Sequence, residues 1–157
     1  MRKRLFNTTP ATFQARDEGW LDLEHAATVE VTSEDKNFPI ESSLSIEPRQ
    51  GWRAAQSGAQ TIRLLFDEPQ ELKRISLVFE EDEMMRTQEF VLRASSSCGG
   101  RFRQIVRQQW NFSAPSSTRE IEEYRVELSH VTVLELTIVP DISGDAARAS
   151  LKTLHLS

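Results

Sequence analysis

The chain predicts an all-β sandwich, and three observations carry that prediction. From Thr28 onward, apolar residues alternate with polar ones at period two, the pattern of half-buried strands. The alternating runs are short and recur at the spacing of a sandwich. Breaker clusters separate them, at Asp67-Glu68-Pro69-Gln70, Ser95-Ser96-Ser97-Cys98-Gly99-Gly100 and Ala114-Pro115-Ser116-Ser117. A chain of 157 residues is most simply one domain, and it buries enough surface to fold without disulfides or metal.

Residues 1–27 read as an N-terminal arm packed on the domain, with Trp20 of Glu18-Gly19-Trp20-Leu21 laid on the core. Thr28 to Ser33 is the first strand. Ile62, Leu64 and Phe66 share the inner face of the next, and Pro69 is expected to end its ladder in a polar turn. Ile75, Leu77 and Phe79 form another inward set, followed by a charged loop from Glu80 to Thr87. Phe90, Leu92 and Ala94 alternate in turn. Phe102, Val106, Trp110 and Phe112 share parity along a long strand or one carrying a bulge. Thr118 to Glu123 is ambiguous: Ser117 with Glu120 matches a capping box, yet apolar positions are too few for a helix. Tyr124, Val126 and Leu128 read as one strand, Leu134, Leu136 and Ile138 as the next, and Leu151, Leu154 and Leu156 as the last.

Composition narrows the function classes. The net charge of -5 argues against a nucleic-acid backbone as partner. Arg2-Lys3-Arg4 is followed at once by Asn7-Thr8-Thr9-Pro10 rather than an apolar run, so no signal peptide is read and a cytoplasmic protein is expected. No apolar stretch approaches the length of a membrane span. The single Cys98 has no partner for an internal disulfide and no visible base to make it a nucleophile. His25, His130 and His155 lack metal-ligand spacing. Asp141-Ile142-Ser143-Gly144-Asp145 reads as a surface turn, and Glu80-Glu81-Asp82-Glu83 as solvated strand-end charge. Phosphate-binding loops and nucleophile elbows are missing from the sequence. Arg101, Arg103, Arg107 and Gln109 form a polar stripe opposite Phe102 and Val106, either an ordinary solvated face or a dock for an acidic partner.

The order of segments adds a resemblance. Thr28-Val29-Glu30-Val31, Phe38-Pro39, Gly51-Trp52-Arg53, Gln60 to Phe66, Ile75 to Phe79 and Phe90-Val91-Leu92-Arg93-Ala94-Ser95 follow one another as in the discoidin, or coagulation-factor type C, family. Leu134 to Ile138 and Ala149 to Leu154 resemble that family's closing strands. The likeness spans roughly residues 28–157 and implies a galactose-binding-like jelly roll that binds ligands through loops at one end and does no catalysis. Those loops correspond to Glu34 to Phe38, Glu47 to Gln50 and Asp82 to Arg86. Many members hold calcium with an Asp before the Trp and a Glu in the last strand. Ser45-Ile46 and Thr153 stand at those places here, with Glu47 as a substitute for one, which makes calcium doubtful.

What the resemblance implies first is glycan binding, with Arg49, Trp52, Arg53 and Arg86 as candidate residues: an aromatic face for the ring and planar groups for its hydroxyls. The plainer reading makes Trp52 a core residue and pairs the arginines with Glu47 or Asp82. A protein–protein interaction module inside the cell is the alternative function. Met84-Met85 faintly matches the apolar loop tips of membrane-binding members, but Glu80 to Glu83 would repel anionic lipid.

Overall fold

A computed structural model describes residues 19–96 and 100–157. Arg2 to Arg4 and Cys98 lie outside the described residues. In chain order the elements are α1 (Leu23–Ala26), β1 (Ala27–Val31), α2 (Glu41–Leu44), β2 (Trp52–Ser57), β3 (Gln60–Glu80), β4 (Arg86–Ser95), β5 (Arg103–Phe112), β6 (Arg119–Val139), β7 (Arg148–Leu151) and β8 (Thr153–Leu156). Every named strand pair is antiparallel. Among the described residues no helix is long and apolar enough to cross a membrane.

The main sheet runs β1-β3-β6-β4-β5, with β8 added to β3, and β2 pairs β7 separately. β3 and β6 are each 21 residues long; β3 exchanges β1 for β8 as its outer neighbour midway, and β6 pairs β4 along its second half. The first half of β3 lies between β1 and the second half of β6. Its second half lies between β8 and the first half of β6. The sheet thereby becomes two facing layers, and Phe79 of one meets Phe90 of the other with ring centroids 5.2 Å apart. The predicted inward sets on β3, β4, the second half of β6, β7 and β8 are buried in this core. Tyr124 and Val126 pack against it half-buried.

Several expectations need correction. Asp67 to Gln70 does not turn the chain back. Pro69 has no N–H to give, and the β3–β6 ladder jumps there from Leu65↔Val133 to Gln70↔Val131. The strand nevertheless runs on, because Leu72 re-enters the core. By Ile75 the inward residues have switched from even to odd numbers. The partner strand adjusts at the same level: His130 has φ 58°, and its N–H donates to the Glu71 carboxylate at 3.0 Å. The two alternating runs from Tyr124 to Ile138 are therefore one strand. Thr118 to Glu123 forms no capped helix: β6 starts at Arg119, and the Ser117 hydroxyl donates to the Asn111 carbonyl. Phe102 precedes β5 and is 37% exposed rather than inward. The last run splits into β7 and β8.

β5 does carry a bulge. Leu92 faces Val106 while Arg93 faces Gln104, leaving Ile105 as the extra residue. At the N-terminal side, the Leu21 N–H donates to the Leu156 carbonyl and Leu23 is buried. The Trp20 ring lies 4.2 Å beneath the Arg74 guanidinium and beside His155, whose Nε2–H donates to the Ser45 carbonyl at 2.9 Å.

Trp52 is 1% exposed. Its indole N–H donates to the Ser33 carbonyl at 3.1 Å, and its backbone N–H to the Ser43 hydroxyl at 2.7 Å. Gly51 before it has φ +93°, and a Cβ there would sit 2.6 Å from the Leu151 carbonyl oxygen. Trp52→Ala empties the centre of this arrangement and should destabilise the fold by about 3–5 kcal/mol in urea unfolding; a change within error would place the ring outside the core.

Candidate functional site

Hydrogen bonds at one end of the sandwich draw separate loops together. The segment after β1 is laced to β2: Asp35 N–H donates to the Arg53 carbonyl at 2.8 Å, and Arg53 N–H to the Phe38 carbonyl at 3.2 Å. The Glu81 N–H donates to the Thr118 carbonyl at 2.8 Å, tying the end of β3 to the start of β6. The Lys152 N–H, between β7 and β8, donates to the Val78 carbonyl at 2.8 Å. These ties leave a concavity of about 430 Å³. Phe38, Trp52 and Arg53 line one wall, Glu80 to Asp82 another, and Arg119 and Lys152 close it.

The loops named from the resemblance thus meet: Phe38 comes from the first, Gln50 from the second and Asp82 from the third. The four candidate residues do not share a surface. Arg53 lines the concavity, its guanidinium 4.9 Å from the Phe38 ring centroid. Trp52 lines it only from within the core. Arg49 is exposed but does not line it.

Arg86 is the clearest departure from a loop arginine reaching for ligand, because it is 4% exposed. Its Nε donates to Glu81 Oε1 at 2.7 Å and its Nη1 to the Pro140 carbonyl at 2.8 Å and Gln88 Oε1 at 3.2 Å. Its guanidinium lies 4.7 Å from the Phe112 ring centroid. Glu81 in turn accepts the N–H groups of Glu83 and Met84. Burial alone would raise the Glu81 pKa, but the bonds from Arg86 and those two amides outweigh it and hold the carboxyl below its ordinary value. Arg86 therefore acts on the third loop from behind, by fixing the carboxylate that shapes it.

The polar chain continues inward. Gln88 Nε2 donates to Glu120 Oε1 at 3.1 Å. Glu120 is 0% exposed. Burial, and then the neighbouring Glu122 carboxyl, push its pKa from the ordinary 4.5 up to about 9. Burial and the same two glutamates push the Tyr124 hydroxyl up as well. This layer has no counterpart in the sequence reading; Glu120, Glu122 and Tyr124 sharing one strand face was its only signal.

The other singled-out residues sit apart from the concavity. The Asp141 carboxylate accepts the Ser143 N–H and hydroxyl, a closed surface turn. His25 meets Asp22 at 2.6 Å on the surface. On the β5 outer face, Arg107 and Gln109 both donate to Glu89. Ser45 and Thr153 provide no carboxylate, and the Glu47 N–H donates to the Ser45 hydroxyl. Among the described residues, no three His, Cys, Asp or Glu side chains group to hold a metal ion.

Two outcomes follow from this geometry. Arg86→Ala leaves Glu81 without its partner and should cost about 2–3 kcal/mol, less than for a fully buried pair because Glu81 is partly exposed; an unchanged urea midpoint would show that Arg86 is dispensable for stability. Glu120 stays protonated when folded through the neutral range, whereas in the unfolded chain it ionises above about pH 4.5. Its contribution is full below that pH and is lost as pH rises toward about 9. Glu120→Gln should therefore raise the Tm at about pH 8 and flatten its fall with pH, and a Tm profile parallel to the parent's would refute the buried neutral acid.

No family model matches the chain, and no curated protein does. Solved structures do. A family 32 carbohydrate-binding module of NanJ from Clostridium perfringens, in complex with galactose, matches with a TM-score of 0.61 at 12% identity, over 87% of this chain and 96% of that one. A family 32 module from a family 31 glycoside hydrolase of Clostridium perfringens matches with a TM-score of 0.63 at 15% identity, over 92% of this chain and 98% of that one. A GH29 fucosidase from Ruminococcus gnavus, in complex with fucose, matches with a TM-score of 0.62 at 9% identity, over 87% of this chain. The chain spans only 26% of that fucosidase. At such identities the likeness establishes the architecture: the chain folds as a galactose-binding-like β-sandwich.

Proposed function

We propose that the chain is a non-catalytic binding module of discoidin type that takes carbohydrate in the end concavity. The observation that carries this reading is the meeting of three separate loops on one hollow of about 430 Å³, within the range of small-ligand sites. Sugar recognition needs planar polar groups for hydroxyls and an apolar surface for ring C–H groups. Arg53 and Gln50 supply the first and Phe38 the second. The architecture supports the reading too, since the NanJ module of this fold is in complex with galactose. Among the four candidates, Arg53 is assigned to ligand contact, Trp52 and Arg86 to holding the site's shape, and Arg49 to its surroundings. Binding is proposed to be independent of calcium, because Ser45 and Thr153 stand where carboxylates would be needed and the Ser45 carbonyl is engaged by His155.

The test is a glycan array on the purified protein with and without calcium, followed by titration of the best hit. Arg53→Ala should weaken that hit by about tenfold or more, as expected when a charge-assisted contact is lost. Unaltered affinity would remove Arg53 from the site, and a blank array would count against carbohydrate. A protein partner is the second reading, favoured by one observation: Met85 at the tip of the third loop is 72% exposed. A partner captured by the parent and lost with Met85→Ser would support it.

A further inference from the structure

We propose that the sugar this concavity takes carries a carboxylate; the inference rests on the carbohydrate reading above and narrows it to acidic sugars. The basis is which charges in the hollow are already spent. Glu81 is spent on Arg86 at 2.7 Å and on the Glu83 and Met84 amides. Glu80 faces Arg119 across the hollow's edge at 3.7 Å. Arg53 and Lys152, which also line the hollow, have no carboxylate partner among the described residues. Against them stands one uncommitted acid, the exposed Asp82. Two cations facing one carboxylate give the hollow a local positive balance on a chain whose net charge is -5.

Geometry adds to charge. The Arg53 guanidinium lies 4.9 Å from the Phe38 ring centroid, a cation–π contact that holds the exposed group at the mouth of the hollow. A guanidinium presents paired N–H donors, the arrangement that matches a carboxylate's two oxygens. Lys152 is half-buried and its backbone is pinned to Val78, so its ammonium works over a short radius as a point charge. A neutral sugar meets hydroxyl-binding groups here but leaves both cations unmatched. An acidic sugar brings the opposite charge to the hollow that both cations line.

The experiment titrates the intact protein with matched ligands at low and high salt: galacturonic acid against galactose and against its methyl ester, glucuronic acid against glucose, and galactose 6-sulfate. The acids should bind about tenfold or more tighter than their neutral partners. Roughly half-molar salt should shrink that gap, and so should Lys152→Gln, read as the ratio of acid to neutral affinity. Equal affinity for galacturonic acid and its methyl ester would overturn the acidic class while leaving carbohydrate binding intact. Tighter binding of the sulfate would overturn the carboxylate. A ratio unmoved by Lys152→Gln would overturn the site. Failure of every sugar to bind would remove both the inference and the reading beneath it.

Discussion

The rest of the molecule depends on one pairing, that between β3 and β6. Their ladder runs from Gln60↔Ile138 to Glu80↔Arg119 and is held through a gap in which four residues of β3 face one of β6. Because the two strands stay paired on both sides of the gap, each serves both layers of the sandwich. Core, loops and site inherit their positions from that ladder. Its last pair delivers Glu80 and Arg119, which both line the concavity, to the same end. A break in the ladder would part Glu80 from Arg119 as well as the layers.

What was legible in the sequence follows from what period two can encode. Ile62, Leu64 and Phe66 could be assigned a common face because a strand alternates its side chains. The same rule cannot say whether two alternating runs with opposite parity are two strands or one strand with irregular pairing. Pro69 looked like an end because proline removes a ladder donor, yet the missing donor only opened the gap. β2 gave no strand signal: after Trp52, only Ala54 is both apolar and buried, and its neighbours Arg53 and Ala55 are exposed. The site was half legible. Segment order located the loops, but Arg53 and Arg86 look alike in a sequence. What separates them is the burial supplied by Phe112, Pro140 and Glu81, each distant along the chain or set by the loop's own fold.

The interior is not uniformly apolar. Arg86, Gln88 and Glu120 carry a polar chain from the third loop into the space between layers. Burying a carboxyl costs least when it is neutral and hydrogen-bonded; the raised pKa keeps Glu120 neutral, and its Oε1 accepts from Gln88 while Oε2 has no hydrogen-bond partner among the described residues. The loop's shape therefore depends on hydrogen bonds made well behind it, so residues that never reach a ligand still determine the surface a ligand meets.

The extra residue at Ile105 has a consequence beyond the local register. β5 is one border of the main sheet, and a straight border strand offers its free N–H and C=O groups as a template for a strand from another molecule. The bulge interrupts that regular row near its start. Exposed Arg103 and Arg107 place charge beside the same border. A neighbouring molecule would have to match a bent, charged row to extend the sheet, so the bulge guards the border against runaway aggregation.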